Sequence, residues 1–200
     1  LPRMIHVRYV LSFDFLRSAQ STYGTVYCCP GALSAYRLSL VRRVLPSWLQ
    51  QRFLGAPCTA GEDRALTNDI LALGYQAVYQ RTAVVHTLVP DMYAKLCRMY
   101  LRWDRSYIRE ELRLLTSVCW KLRPRALLLT VIDKTITNLG FPVSYLALGL
   151  MVTLSIEDPW TIVRVLAAIG LASHFYMLYY LKSERNWDFT FGILYAYFSA

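Results

Sequence analysis

In the run "TAGEDRALT", Gly61 is followed by Glu62, Asp63 and Arg64, just ahead of an apolar helical pattern. Carboxylates at a helix start can do acid–base work, because a carboxylate within one hydrogen bond of a hydroxyl can take its proton as that oxygen attacks. The same triplet also suits an ordinary solvated helix start, where acids meet the partial positive charge of the N-terminus. A second set lies in "RMYLRWDRS", residues 98–106, where Arg102 and Trp103 adjoin. A guanidinium offers paired donors to phosphate oxygens, and an indole offers a flat apolar platform. A third is "CCPGALSAYR", residues 28–37. There Gly31 would let backbone approach a ligand closely, while Cys28 and Cys29 equally suit simple burial. His6, His86 and His174 are scattered and no two cysteines have ligand spacing, so no metal site is expected within these residues.

The elements that must position these groups can be read from pattern and punctuation. Residues 1–23 carry a helical apolar recurrence through Ile5, Tyr9, Phe13 and Leu16, ended by Gly24. "TVYCC" and "ALSAYR" look like short strands, the second feeding a helix from Leu38 to Leu45 that Pro46 should stop. A helix over 62–73 is expected to end at Gly74. "YQAVYQ" and "TAVVHTLV" are strand-like, rich in Val and Tyr. After Pro90 comes one long helix with two stripes: Leu96, Tyr100, Trp103 and Tyr107 on one, Arg98, Arg102, Arg105, Arg109 and Arg113 on the other. Such a helix suits a membrane interface, with rings at headgroup level and guanidiniums among phosphates. It also suits solvent, through intrahelical pairs such as Asp91–Lys95 and Glu110–Arg113.

The 200 residues are 56% hydrophobic, with 22 Lys and Arg against 13 Asp and Glu, a net charge of +9. With a mean hydropathy of +0.30, this balance points to a membrane protein with a basic cytoplasmic face. Nucleic acid is not an expected partner, since no zinc, helix-turn-helix or RNA-binding signature accompanies the charge. The five unspaced cysteines fit a reducing compartment. The run from Thr135 to Ile156 carries no charge and matches the length a bilayer requires. A second apolar run covers 160–181 and a third begins at Phe189. "KLRPR" (121–125) and "KSER" (182–185) flank these spans, and Glu157-Asp158 lies between them. The positive-inside rule then places residues 1–125 in the cytoplasm and Glu157 outside. The chain begins without Met and stops within an apolar run, which reads as an internal piece of a longer protein.

The three motifs, in this order and followed by spans, resemble the processive membrane glycosyltransferases: hyaluronan synthases, chitin synthases and nodulation chitooligosaccharide synthases. "RSAQSTYGTV" (17–26) shares the resemblance, which covers most of residues 1–120. It implies the C-terminal part of an α/β GT-A-type catalytic domain over 1–90, an amphipathic interfacial region with the R-W motif over 91–125, and transmembrane helices over 126–200. It implies inverting transfer from a UDP-sugar, by expectation UDP-N-acetylglucosamine with or without UDP-glucuronate, onto a growing polysaccharide. The family's base falls on Asp63, with Glu62 beside it. Arg102 and Arg64 fall at the UDP pyrophosphate, and Trp103, Gly31 and Cys29 along the acceptor. The family's Q-x-x-R-W motif has Met99 in place of its glutamine here. Mg2+ or Mn2+ is expected through a D-x-D motif upstream, so these residues alone should be inactive. The implied setting is a multi-pass plasma-membrane protein in contact with lipid, its catalytic part cytoplasmic. Two rivals differ in kind: a non-processive transferase adding one sugar to a lipid or protein, and an inactive membrane scaffold.

Overall fold

The structure is a computed structural model describing residues 1–199. Its elements are mostly helical. The first helix, α1 (Pro2–Val10), runs through a π-helical stretch (Leu11–Arg17) into α2 (Ser18–Ser21), and Gly24 turns the chain at φ +73°. Then follow α3 (Leu38–Leu49), the strands β1 (Arg52–Phe53) and β2 (Ala56–Pro57), α4 (Glu62–Ala72), α5 (Tyr93–Arg113), α6 (Pro124–Glu157), α7 (Trp160–Glu184) and α8 (Phe189–Ser199). The chain divides into two compact bodies: Leu1–Phe15 with the chain from Asp133 onward, and Leu16–Ile132.

The body Leu16–Ile132 packs α4 against α3 and α5. Its apolar core joins Val26, Tyr27, Leu71, Ala77, Leu114 and Val118. Helix α4 ends where Gly74, at φ +81°, supplies the left-handed residue that a helix C-terminus favours. The strand expectations need correction. "TVYCC" and "YQAVYQ" meet in one parallel bridge, Thr25 to Ala77, with Ala77 N–H donating to Gly24 O at 2.9 Å. "ALSAYR" and "TAVVHTLV" form no strand, and Val84, Val85 and Leu88 are exposed. Their composition suits a pleated, half-buried surface, and no neighbouring strand lies beside them here. The hairpin that does form, β1–β2, turns through Leu54 and Gly55, both at positive φ. That conformation matches the twist of its flanking strands. Helix α3 also continues past Pro46 to Leu49. Proline forfeits one N–H and clashes one turn back, yet Leu40 and Val44 are buried and hold this helix in place.

The other body holds α1 against α7 and α8. Val7, Met177 and Tyr180 form its buried centre. A Cβ on Gly192 would meet Val7 Cγ1 at 2.7 Å and collide with the Met177 sulfur. Only glycine lets α1, α7 and α8 approach so closely. Asp14, in the π-helical stretch, accepts hydrogen bonds from the Tyr179 hydroxyl at 3.1 Å and the Ser183 hydroxyl at 2.8 Å. At the same end of α7, Arg3 pairs with Asp188 at 3.5 Å. Helices α6 and α7 are both long and apolar enough to cross a membrane. The α6 face around Phe141, Tyr145, Leu148 and Val152 is exposed to its surroundings, as a lipid-facing helix requires.

Candidate active site

The site is built on the N-terminus of α4. Gly61 precedes the helix at φ +80°, a conformation that glycine adopts without steric penalty. A Cβ there would run into Ser106 Cβ and stand 3.1 Å from Arg109 Nη2. Gly61 therefore allows α5 to lie directly against the start of α4. Arg109 Nη2 donates to Ala60 O at 2.6 Å and fixes the turn. From α3, Trp48 Nε1 donates to Glu62 O at 2.9 Å. The Glu62 side chain is exposed, whereas Asp63 and Arg64 are half-buried.

Asp63 Oδ1 accepts the Arg64 N–H at 2.7 Å, so the carboxylate caps its own helix. This satisfies one of the free donors at a helix start. The Arg64 guanidinium turns away and lies 4.7 Å from the centre of the Tyr107 ring. Thr67, one turn on, donates to Asp63 O at 2.8 Å and accepts from Cys29 N–H at 3.0 Å. That hydroxyl ties the Cys28–Cys29 loop to α4. Tyr36 donates to Cys29 O at 3.2 Å, and Arg17 Nε to Cys28 O at 3.2 Å. Burial pushes the Cys28 thiol up to about 11, against the pull of nearby Arg64 and Arg17. Burial also raises Cys29 and takes the Tyr36 hydroxyl up to about 12.

Cys28, Cys29, Asp63 and Arg64 are thus brought together. Trp103 lies one helical turn before Tyr107 on α5, half-buried, with its ring 5.8 Å from Tyr100. Residues four apart on a helix share a face, so the Trp103 side follows on from the Arg64–Tyr107 contact. Arg102 is exposed and makes no ion pair among the described residues. Gly31 stands in an exposed loop with nothing within 4 Å of a Cβ, whereas Gly61 is in close contact with α5. Among the described residues no three His, Cys, Asp or Glu side chains converge to hold a metal ion.

The arginine stripe of α5 divides. Arg98, Arg102 and Arg105 face outward. Arg109 Nε meets Glu110 Oε1 at 2.8 Å, and Arg113 pairs with Asp69 and, at 3.6 Å, with Glu110. Glu110 is fully buried and also accepts from Gln51 at 2.5 Å and Asn68 at 3.0 Å. The solvated Glu110–Arg113 pair expected from spacing is therefore a buried hub joining α3's end, α4 and α5. Arg109 and Arg113 do not face a headgroup layer. Sequence reasoning placed Tyr107, Arg109 and Glu110 only in stripes and pairs, not at the site, and missed Thr67. The available signal was that Ser106, Arg109, Glu110 and Arg113 recur at helical spacing along α5.

No family model matches the chain. Individual relatives do. It is 34% identical to an N-acetylglucosaminyltransferase of Azorhizobium caulinodans, over 90% of this chain and 47% of that protein. It is 42% identical to hyaluronan synthase 3 of Homo sapiens, over 52% of this chain and 19% of that protein. It is 36% identical to hyaluronan synthase 1 of Xenopus laevis, over 54% and 18%. The chain therefore spans about half of the first of these relatives and about a fifth of the synthases. Its homologues are enzymes of one class, the glycosyltransferases. More particularly, they are hyaluronan synthases and an N-acetylglucosaminyltransferase, which supports the hyaluronan synthase and chitin-synthase-like family of membrane glycosyltransferases.

Proposed function

We propose that the chain is the base-bearing and membrane-entering part of a processive, inverting β-glycosyltransferase of the membrane. The substrate is a UDP-sugar, by preference UDP-N-acetylglucosamine with or without UDP-glucuronate, and the product is a hyaluronan- or chitin-like polymer. The observation that carries this reading is the α4 N-terminus. There Asp63 is half-buried, its carboxylate accepts a backbone N–H at 2.7 Å, and Ser106 of α5, one turn after Trp103, lies against the glycine that opens the helix. Asp63 takes the proton of the acceptor hydroxyl as it attacks the anomeric carbon. Arg102, exposed and without an ion pair among the described residues, supplies donors to the departing pyrophosphate, where charge accumulates. Trp103 forms the platform for the acceptor ring, and Gly31 and Cys29 line its path. A GT-A sheet would supply the neighbours that Val84, Val85 and Leu88 lack. Mg2+ or Mn2+ would be held by a D-x-D motif upstream of these residues and would offset charge on the departing diphosphate. In the membrane reading, Lys182 and Arg185 mark the cytoplasmic end of α7. Helix α1 packs at that same end, which agrees with a cytoplasmic start of the chain.

The test is Asp63→Asn in the full-length protein in membranes. The amide is nearly isosteric but cannot accept the proton. Transfer from UDP-N-acetylglucosamine falls by roughly 10²–10⁴-fold, while UDP binding is retained. Turnover at the wild-type rate would remove Asp63 from the role of base.

A further inference from the structure

We infer that Tyr107 is a positioning residue for the candidate base: its ring holds the Arg64 guanidinium off the Asp63 carboxylate. The inference rests on the proposed role of Asp63. Three observations carry it. Arg64 follows Asp63 directly in sequence, and no ion pair joins their side chains among the described residues. Sequence neighbours on a helix are able to pair in this molecule, since Arg109 Nε and Glu110 Oε1 stand 2.8 Å apart one turn beyond Tyr107. The Arg64 guanidinium instead lies over the Tyr107 ring at 4.7 Å, where the negative face of the ring attracts a cation.

The consequence is chemical. A guanidinium paired with a carboxylate lowers its proton affinity and turns it into a weaker base. The ring gives Arg64 a competing partner that carries no net charge, which keeps the guanidinium from pairing with the Asp63 carboxylate. The charged and titratable groups around the start of α4 come from several elements. The loop before α3 brings Cys28 and Cys29, the N-terminal helix brings Arg17, and α5 brings Tyr107 and Arg109. Helix α3 contributes the uncharged Trp48. Arg64 is the cation next in sequence to the carboxylate, and Tyr107 is the group that engages it.

The experiment measures UDP release from UDP-N-acetylglucosamine against pH, in membranes holding the full-length protein. In Tyr107→Ala the acidic limb of kcat/KM moves down by about one pH unit, and kcat falls roughly tenfold with the donor KM unchanged. Tyr107→Phe keeps the ring and rescues both limb and rate. Adding Arg64→Ala to Tyr107→Ala returns the limb to its original position. An unmoved limb in Tyr107→Ala would overturn the inference, as would a raised donor KM with an unmoved limb, which would make the ring a support for phosphate binding. Failure of Tyr107→Phe to rescue would assign the effect to the hydroxyl and overturn it equally. Each of these outcomes leaves the Asp63→Asn result untouched, so the inference and the proposed function fail separately.

Discussion

Arg102 and Cys28 allow two residue-scale predictions with opposite characters. Arg102 is exposed and makes no ion pair among the described residues, so its removal strips no buried group there of an ionic partner. Arg102→Ala is expected to raise the donor KM by about tenfold or more, the worth of a charge-assisted hydrogen bond, with little change in thermal stability. Donor titration beside a melting curve checks both halves. Met99→Gln, which restores the residue usual in the resembled motif, is expected to be tolerated. Cys28 is the reverse case. Its folded value of about 11 lies above the ordinary 9.0. Its contribution to stability is therefore fully present below about pH 9 and is lost as pH rises through about 11. Between those limits the unfolded chain releases a proton that the folded chain retains. The thermal midpoint in detergent should fall over that window, and Cys28→Ala should fall less steeply. A parallel decline in both proteins would locate the alkaline loss elsewhere.

Helix α5 performs two tasks along its length, and a prediction follows from each end of the division. Toward Arg113 it is locked to α3 and α4 through Glu110, which is fully buried among Gln51, Asn68, Arg109 and Arg113. Glu110→Gln leaves the two guanidiniums without their shared charge. Breaking such a buried pair costs about 3 kcal/mol, to be read as a lowered thermal midpoint. Toward its middle, α5 meets Gly61 through Ser106. Gly61→Ala faces both the positive φ and the collision with Ser106 Cβ, so α5 must shift and take Trp103 with it. Its transfer rate is expected to fall further than its stability, and Ser106→Gly in the same chain should recover part of the loss. The amphipathic pattern of α5 was legible in the sequence. The split of its arginine stripe was not, because identical spacing serves a headgroup layer and a buried carboxylate equally well.

At the scale of the whole molecule, the proposed topology makes a labelling prediction. A cysteine placed at the exposed Glu157 should react with a membrane-impermeant thiol reagent in intact cells. Cys58 and Cys97, both partly exposed, should be protected until the membrane is opened. Cys119 is buried and would stay silent in either orientation. Labelling of Cys58 in intact cells with protection at position 157 would reverse the orientation and remove the site from a cytosolic donor.

The sequence by itself determined what depends on local pattern. The apolar runs of α6 and α7, the helix between Gly61 and Gly74, and the long α5 all follow from period and punctuation over neighbouring residues. The candidate residues Asp63, Arg64, Arg102 and Trp103 were legible for the same reason, as short motifs with fixed spacing. Only the tertiary structure decided the strands, since β-propensity is realised only where another strand lies alongside. It alone decided that Leu1–Phe15 packs with α7 and α8, through Gly192 and Met177. It alone placed Tyr107 under Arg64, Thr67 under Cys29 and Glu110 at the hub. These contacts join residues as far as 169 positions apart, Asp14 to Ser183. Periodicity shows which face of a helix is buried, but the partner on the other side is fixed only when the elements pack.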